Sequence, residues 1–238
     1  MNQHEVFPQK NVFLAVVHVT DYFQALHNVD VAARAGADGA FLISHGKVRG
    51  TELIEILRTI REERKGHGLR PFWLGLNCLD VRETEIFKKV PPDTEGIWLD
   101  DIGIRGRDPE LRRAKGIRNA RLESRWRGLL FGGVAFKYQE AVPPARLAEV
   151  TRTAKDFTDV ITTSGEETGK PPPVEKIRVM SEAAGNPDLI AVASGMTPEN
   201  VGAYRPYAKY FLVSTGVSES FTKLDPLRVR AFAKEVGK

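Results

Sequence analysis

The fold is decided in the last third of the chain, at Ile161-Thr-Thr-Ser-Gly-Glu-Glu-Thr-Gly-Lys170, Ala191-Val-Ala-Ser-Gly195 and Phe211-Leu-Val-Ser-Thr-Gly216. Each closes a short apolar run with a hydroxyl residue and a glycine, and segments of helical spacing separate the three. Small strand ends of this kind expose backbone N–H groups and admit an anion close to the main chain. In a β/α barrel the loops after the seventh and eighth strands commonly hold a phosphate. The pattern therefore implies a phosphorylated small molecule as ligand. It names no reaction.

Outward from these stretches the same alternation fills the chain. Apolar runs at 12–19, 40–44, 72–78, 96–99, 129–136, 159–163, 188–193 and 208–214 read as strands. They are continuously apolar, as in a parallel sheet covered on both faces. Between them lie segments with helical spacing and recognisable ends. Asp21 caps one and Gly36 closes it; residues 51–64 and 81–90 form the next two. Pro109 opens a helix running to about Trp126. Helices follow Pro143-Pro144 and Pro171-Pro172-Pro173, the latter closed by Gly185. Thr197 with Pro198 begins another, and Asp225-Pro226 the last. Eight βα units in 238 residues predict a single (β/α)8 TIM barrel, which typically takes ~250 residues, as one domain over 1–238. An open doubly wound sheet is the alternative, but His18-Val-Thr-Asp21 lacks a dinucleotide glycine fingerprint.

Composition narrows the class. The chain is 42% hydrophobic with one cysteine, Cys78, which fits a folded protein of a reducing compartment without an internal disulfide. No apolar run is long enough to span a bilayer and no secretory leader is evident, so a cytoplasmic protein without a membrane partner is expected. The net charge of +4 is local: residues 105–127 hold nine basic residues against three acidic ones. Arg112, Lys115, Arg118, Arg121 and Arg125 fall on one broad helix face, expected to be solvated or to make contacts in a homo-oligomer. No aromatic interleaving or nucleic-acid motif accompanies them, and nucleic acid is not the favoured partner.

In a barrel, chemistry sits where strands end. The candidate catalytic residues there are His18, Asp100, Asp101 and Lys137. His18 suits a general acid or base, or a satisfied rim histidine. At least one of Asp100 and Asp101 should point across the mouth as a base, a metal ligand or a ribose hydroxyl acceptor; the plainer reading is a salt bridge to Lys137. Lys137 suits charge neutralisation better than Schiff-base chemistry. His45 and Asn77 are further mouth residues. Ser164, Gly165, Thr168, Gly169, Ser194, Gly195, Ser214, Thr215 and Gly216 form the expected phosphate rim. No recognisable metal-ligand spacing exists, so a divalent metal is left open rather than indicated, and no cofactor is assigned. The run from Gly165 to Lys170 is not a Walker A motif; it reads as an anion-binding loop or a lid.

Gly75-Leu-Asn-Cys78, Asp159-Val-Ile-Thr-Thr-Ser-Gly165 with Thr168-Gly-Lys170, Ser194-Gly-Met-Thr-Pro-Glu-Asn-Val201 and Asp225-Pro-Leu-Arg-Val-Arg-Ala-Phe232 resemble the BtpA family, which is similar to the ribulose-phosphate-binding barrels. The resemblance covers roughly residues 158–238. It implies a barrel and supports the phosphate rim. Residues 97–103 and 130–139, which carry Asp100, Asp101 and Lys137, depart from the family's usual forms, so no reaction carries over. Two functions follow as expectations: an isomerase, lyase or transferase acting on a sugar phosphate or nucleotide-like compound, or a non-catalytic assembly or regulatory protein of the same fold.

Overall fold

A computed structural model of the chain describes residues 3–69, 71–105 and 111–237. Eight parallel strands close into a barrel in chain order: β1 (Val12–Val19), β2 (Gly39–Ser44), β3 (Trp73–Asn77), β4 (Gly96–Leu99), β5 (Leu129–Gly133), β6 (Val160–Thr163), β7 (Ile190–Ala193) and β8 (Tyr210–Val213), with β8 pairing back onto β1. The helices are α1 (Gln3–Val6), α2 (Tyr22–Ala35), α3 (Gly50–Gly66), α4 (Ile86–Lys89), α5 (Arg112–Ser124), α6 (Pro144–Ala154), α7 (Val174–Ala184) and α8 (Pro226–Glu235). This is the (β/α)8 barrel that the alternation predicts. Among the described residues no helix is long and apolar enough to cross a membrane.

The strands are apolar on both faces because each face has its own core. Val12, Leu14 and Val16 point inward to pack with Phe41, Trp73, Trp98, Phe131 and Tyr210. Phe13, Ala15 and Val17 belong to the outer core shared with the helices. The interior is filled, so the open ends alone offer space for a ligand. The expected caps form: Asp21 accepts from Gln24 N at 2.9 Å and Gly36 ends α2 at φ 100°. Asp225 accepts from Leu227 N at 2.8 Å and Arg228 N at 3.2 Å to start α8.

Four readings need correction. β5 stops at Gly133 rather than 136, because Ala135 adopts φ 48° and the chain turns out of the sheet. Only Ile86–Lys89 of the segment read as 81–90 is helical. Ahead of it Asp80 is drawn to Gly50 N, at 2.8 Å, and to Arg49. Thr197 starts no α-helix. The Asn200 side chain accepts from Thr197 N at 2.9 Å and donates to Gly195 O at 2.8 Å, closing a tight turn, and a three-residue 3-10 turn, Val201–Ala203, follows. Asn competes for backbone groups in this way, and no helix macrodipole arises here. Pro109 lies outside the described residues, and the described helix α5 ends at Ser124, short of Trp126.

One element has no counterpart in the sequence reading. After β8 a short 3-10 turn leads into an antiparallel hairpin, β9 (Ser218–Ser220) and β10 (Lys223–Leu224). Buried Asn28 of α2 seats it, donating to Thr222 O at 2.9 Å and accepting from Leu224 N at 2.8 Å.

Candidate functional site

The strand ends enclose two adjoining spaces. One is a mouth cavity of about 50 Å³ over the barrel interior, walled by His18, Trp98, Lys137, Thr168, Ser194 and Ser214 among others. The other is an open cleft of about 580 Å³ bounded by Gly169, Thr197, Pro198, Glu199, Leu227 and Arg228. Gly195, Thr215 and Gly216 line both, so cleft and mouth share a wall.

That wall exists because the rim loops stack backbone on backbone. Gly195, at φ 68°, lies so close to the β6 loop that a Cβ would stand 2.1 Å from Pro171 N. A Cβ on Gly216 would stand 2.0 Å from Met196 O. Only glycine allows either approach. Ser194 takes φ 108° without being glycine, and its hydroxyl donates to Glu167 O at 3.2 Å. Among the described residues the backbone N–H groups of Gly195, Met196, Thr215 and Gly216 donate no hydrogen bond. Donors left open on a concave rim suit an anion.

Lys137 stands in a strained loop. Ala135 and Tyr138 beside it have φ of 48° and 60°, a conformation costly for residues other than glycine. The Lys176 ammonium holds this turn from below, donating to Ala135 O at 2.6 Å and to Ser164 O at 2.7 Å. The Lys137 amine donates to Thr168 Oγ1 at 3.1 Å. Burial draws its pKa below the usual lysine range, and Asp100 and Tyr138 partly restore it. Burial likewise pushes Asp100 above the usual carboxylate range, against the Asn77 amide and Lys137. Buried Asn77 donates to Asp100 Oδ1 at 2.9 Å and so fixes that carboxylate. Asp100 and Lys137 act on each other electrostatically, but no ion pair joins them among the described residues.

His18 is covered by the hairpin. The Phe221 ring stacks on the imidazole, His45 stands edge-on with ring centroids 5.9 Å apart, and Ser214 Oγ lies 3.4 Å from Nδ1. Burial first, then the charges of His45 and Lys137, bring its pKa down to about 4, against a hydrogen bond to the Phe221 backbone. At neutral pH His18 is therefore uncharged.

The structure brings together His18, Lys137, Thr168, Ser194, Gly195, Ser214, Thr215 and Gly216 around the mouth, with His45, Asn77 and Asp100 adjoining and Gly169 in the cleft. It does not bring Asp101. That carboxylate pairs with Arg105 and with Arg113, at 2.8 Å for the latter, and accepts from Gly103 N at 2.7 Å. Ser164 is fully buried, its Oγ accepting from Lys137 N at 2.8 Å, and Gly165 is buried under Lys170. Both shape the loop from beneath rather than line the mouth or the cleft. Four side chains go unread in the sequence. Arg228 brings a cation to the cleft, Phe221 stacks on the His18 ring, and Tyr138 bonds to Thr168. Trp98 lines the mouth with a buried Nε1 that has no hydrogen-bond partner among the described residues. Among the described residues no three His, Cys, Asp or Glu gather to hold a metal.

No protein-family model matches the chain, and no curated protein matches it in sequence. Solved structures do match in fold. Phosphoribosyl anthranilate isomerase from Thermus thermophilus is 18% identical with a TM-score of 0.59, over 95% of this chain and 98% of that one. Thiamine phosphate pyrophosphorylase from Pyrococcus furiosus is 15% identical with a TM-score of 0.63, over 95% and 96%. (S)-3-O-geranylgeranylglyceryl phosphate synthase from Thermoplasma acidophilum, solved with its substrate sn-glycerol-1-phosphate, is 12% identical with a TM-score of 0.66, over 99% and 98%. At these identities the likeness is one of fold. Each of the three names includes a phosphorylated small molecule.

Proposed function

We propose that the chain is an enzyme acting on a phosphorylated small molecule, a sugar phosphate or nucleotide-like compound, by isomerase, lyase or transferase chemistry. The shared wall of Gly195, Thr215 and Gly216 carries this reading. A ligand with its phosphate in the cleft presents its other end to His18 and Lys137. The open N–H groups and Arg228 would hold the phosphate. Lys137 would stabilise negative charge developing in the mouth. His18, with a pKa near 4, is a weak base and serves better as a neutral hydrogen-bonding group. Asp100, raised toward the working pH, is the better proton acceptor, and Asn77 positions it. The phosphate-bearing names of the structural neighbours favour this reading. Membership of the BtpA family, a single domain over 1–238 and a cytoplasmic setting belong to the same proposal.

The test is titration calorimetry with inorganic phosphate and with matched pairs, ribose 5-phosphate against ribose and glycerol 1-phosphate against glycerol. Binding confined to the phosphorylated members supports the proposal, and equal affinities within the pairs remove its main support.

One observation favours the alternative, a binding protein without catalysis. The mouth holds about 50 Å³ and Phe221 lies across His18, whereas small-molecule sites commonly enclose roughly 300–1,000 Å³. If Lys137→Ala and Asp100→Asn both keep the turnover of a substrate found by screening, neither residue is catalytic; phosphate-dependent binding without turnover in the wild type would replace the enzyme with the binding-protein reading.

A further inference from the structure

At the opposite end of the barrel, below β5 and β6, a pocket of about 390 Å³ lies between α5 and the segment that follows α6. Arg118, Arg121, Arg125, Arg127 and Lys155 line it, against the carboxylates of Asp156 and Asp159. Asp159 is already spent: it pairs with Arg121 at 2.6 Å and accepts from Leu130 N at 2.7 Å. Arg118, Arg125 and Lys155 then face the Asp156 carboxylate, which has no ion pair among the described residues.

The arginines are held ready. Arg121 also donates to Gly128 O at 2.9 Å and stacks over the Trp126 ring, so it forms a fixed wall. The Arg118 guanidinium lies 5.0 Å over the Phe157 ring, which orders its plane and leaves its N–H edge for an acceptor. Arg125 takes φ 59° at the end of α5, and neither it nor Lys155 has an ion pair among the described residues. Exposed like charges gathered in one hollow repel each other, and Arg118, Arg125 and Lys155 face one another here without an ion pair among the described residues.

We propose that this pocket is a second anion site that binds two linked phosphate groups, independently of the cleft at the other end. The chemistry is that of a diphosphate, whether inorganic pyrophosphate or the diphosphate of a nucleotide. Its volume falls among small-molecule sites and exceeds what one phosphate fills. The concave shape favours a compact anion over a nucleic-acid strand, which takes an extended track. The basic stripe is in any case interrupted, since Arg121 is committed to Asp159 and Gly128 O.

The experiment is calorimetric titration of the intact chain with sodium pyrophosphate at ~150 mM salt, where loose charge attraction is screened. It is repeated on Arg125→Ala/Lys155→Ala, two exposed positions whose loss leaves the core intact, and on Arg228→Ala in the cleft. Beyond any pyrophosphate held in the cleft, which Arg228→Ala weakens, one further pyrophosphate per chain is expected, at least about tenfold weaker in the double variant and unchanged in Arg228→Ala. ADP binding more tightly than pyrophosphate assigns the site to a nucleotide, and equal binding assigns it to the inorganic anion. No pyrophosphate binding, or equal affinity in the double variant, overturns the proposal. So does a single-stranded RNA whose affinity grows with its length and far exceeds that of pyrophosphate.

Discussion

The Phe221 ring stacks on the His18 imidazole with centroids 4.0 Å apart and planes 28° from parallel, although the two residues lie near opposite ends of the chain. The contact adds to the burial that, with the charges of His45 and Lys137, holds His18 neutral, at a pKa of about 4 against an ordinary 6.5. The consequence is a pH dependence with a defined sign. Above about pH 6.5 the imidazole is neutral in both folded and unfolded chains. Between 6.5 and 4 the unfolded chain takes up the proton and the folded chain does not, so stability falls as pH drops. Below about 4 the loss is complete, on the order of a few kcal/mol. Asp100 and Glu95, both raised mainly by burial, contribute with the opposite sign. Urea denaturation of the wild type and His18→Asn across this window separates the terms. The difference between the curves should shrink from pH 6.5 to 4, and a constant difference would remove the assignment.

Phe221 is about half exposed, at 48%, so its removal should be cheap for the fold and costly for the mouth's seclusion. Phe221→Ala should lower stability by about 1 kcal/mol, part of the roughly 1.5–3 kcal/mol for a fully buried large side chain. The His18 pKa should return toward 6.5, read from the imidazole proton shifts in an NMR titration. An unmoved pKa would show that the barrel wall, not the hairpin, desolvates this histidine.

The two adjacent aspartates should separate cleanly. Asp101 orders its loop through Arg105, Arg113 and Gly103 N, while Asp100 faces Asn77 and the field of Lys137. Asp101→Asn should cost about 1 kcal/mol of stability, reduced from the 1.5–3 of a charged hydrogen bond because the arginines are partly exposed. It should leave turnover largely intact. Lys137→Met should do the opposite, cutting turnover by about a hundredfold or more with little change in unfolding midpoint. Parallel urea midpoints and initial rates on one screened substrate compare the two.

The barrel is legible in the sequence because eight short continuously apolar runs, buried on both faces, alternate with amphipathic segments and turn signals along the chain. The caps at Asp21 and Asp225 and the closing Gly36 and Gly185 are equally plain, since each answers a local backbone need. What eludes the sequence depends on distant partners. Nothing local distinguishes Asp100 from Asp101; Asn77 on one strand and Arg113 on α5 decide between them. Thr197-Pro198 carries a valid helix start, but the Asn200 side chain captures the backbone first. Phe221 sits in a polar hairpin too short to show a strand pattern, and its partner belongs to β1. Arg228 looks like any arginine of an amphipathic helix until the Asp225 cap aims the first turns of α8 at the rim loops.

Arg228 is also where the anion cleft is tested most directly. Substituting Gly195 or Gly216 would force stacked backbones apart, so lost binding there could not be told from a lost loop. Arg228 is free of that difficulty at its head, which is 58% exposed and faces Asp225 at 3.7 Å. It does donate to Ser218 O at 2.7 Å and so helps to seat the hairpin. A pair of variants resolves the two roles. Arg228→Lys keeps the charge and loses the forked geometry, while Arg228→Ala loses both. A charge-assisted contact to phosphate contributes roughly 1.5–3 kcal/mol when well formed, and solvent exposure places this one at the low end. Arg228→Ala should therefore weaken phosphate binding by about tenfold, and Arg228→Lys by only about two- to threefold. The salt dependence of binding should flatten in Arg228→Ala and persist in Arg228→Lys, because only the former removes a charge from the site. Phosphate titrations at ~50 and ~300 mM salt give both quantities for all three proteins. Equal losses in the two variants would assign Arg228 to the hairpin alone and leave the cleft without its cation.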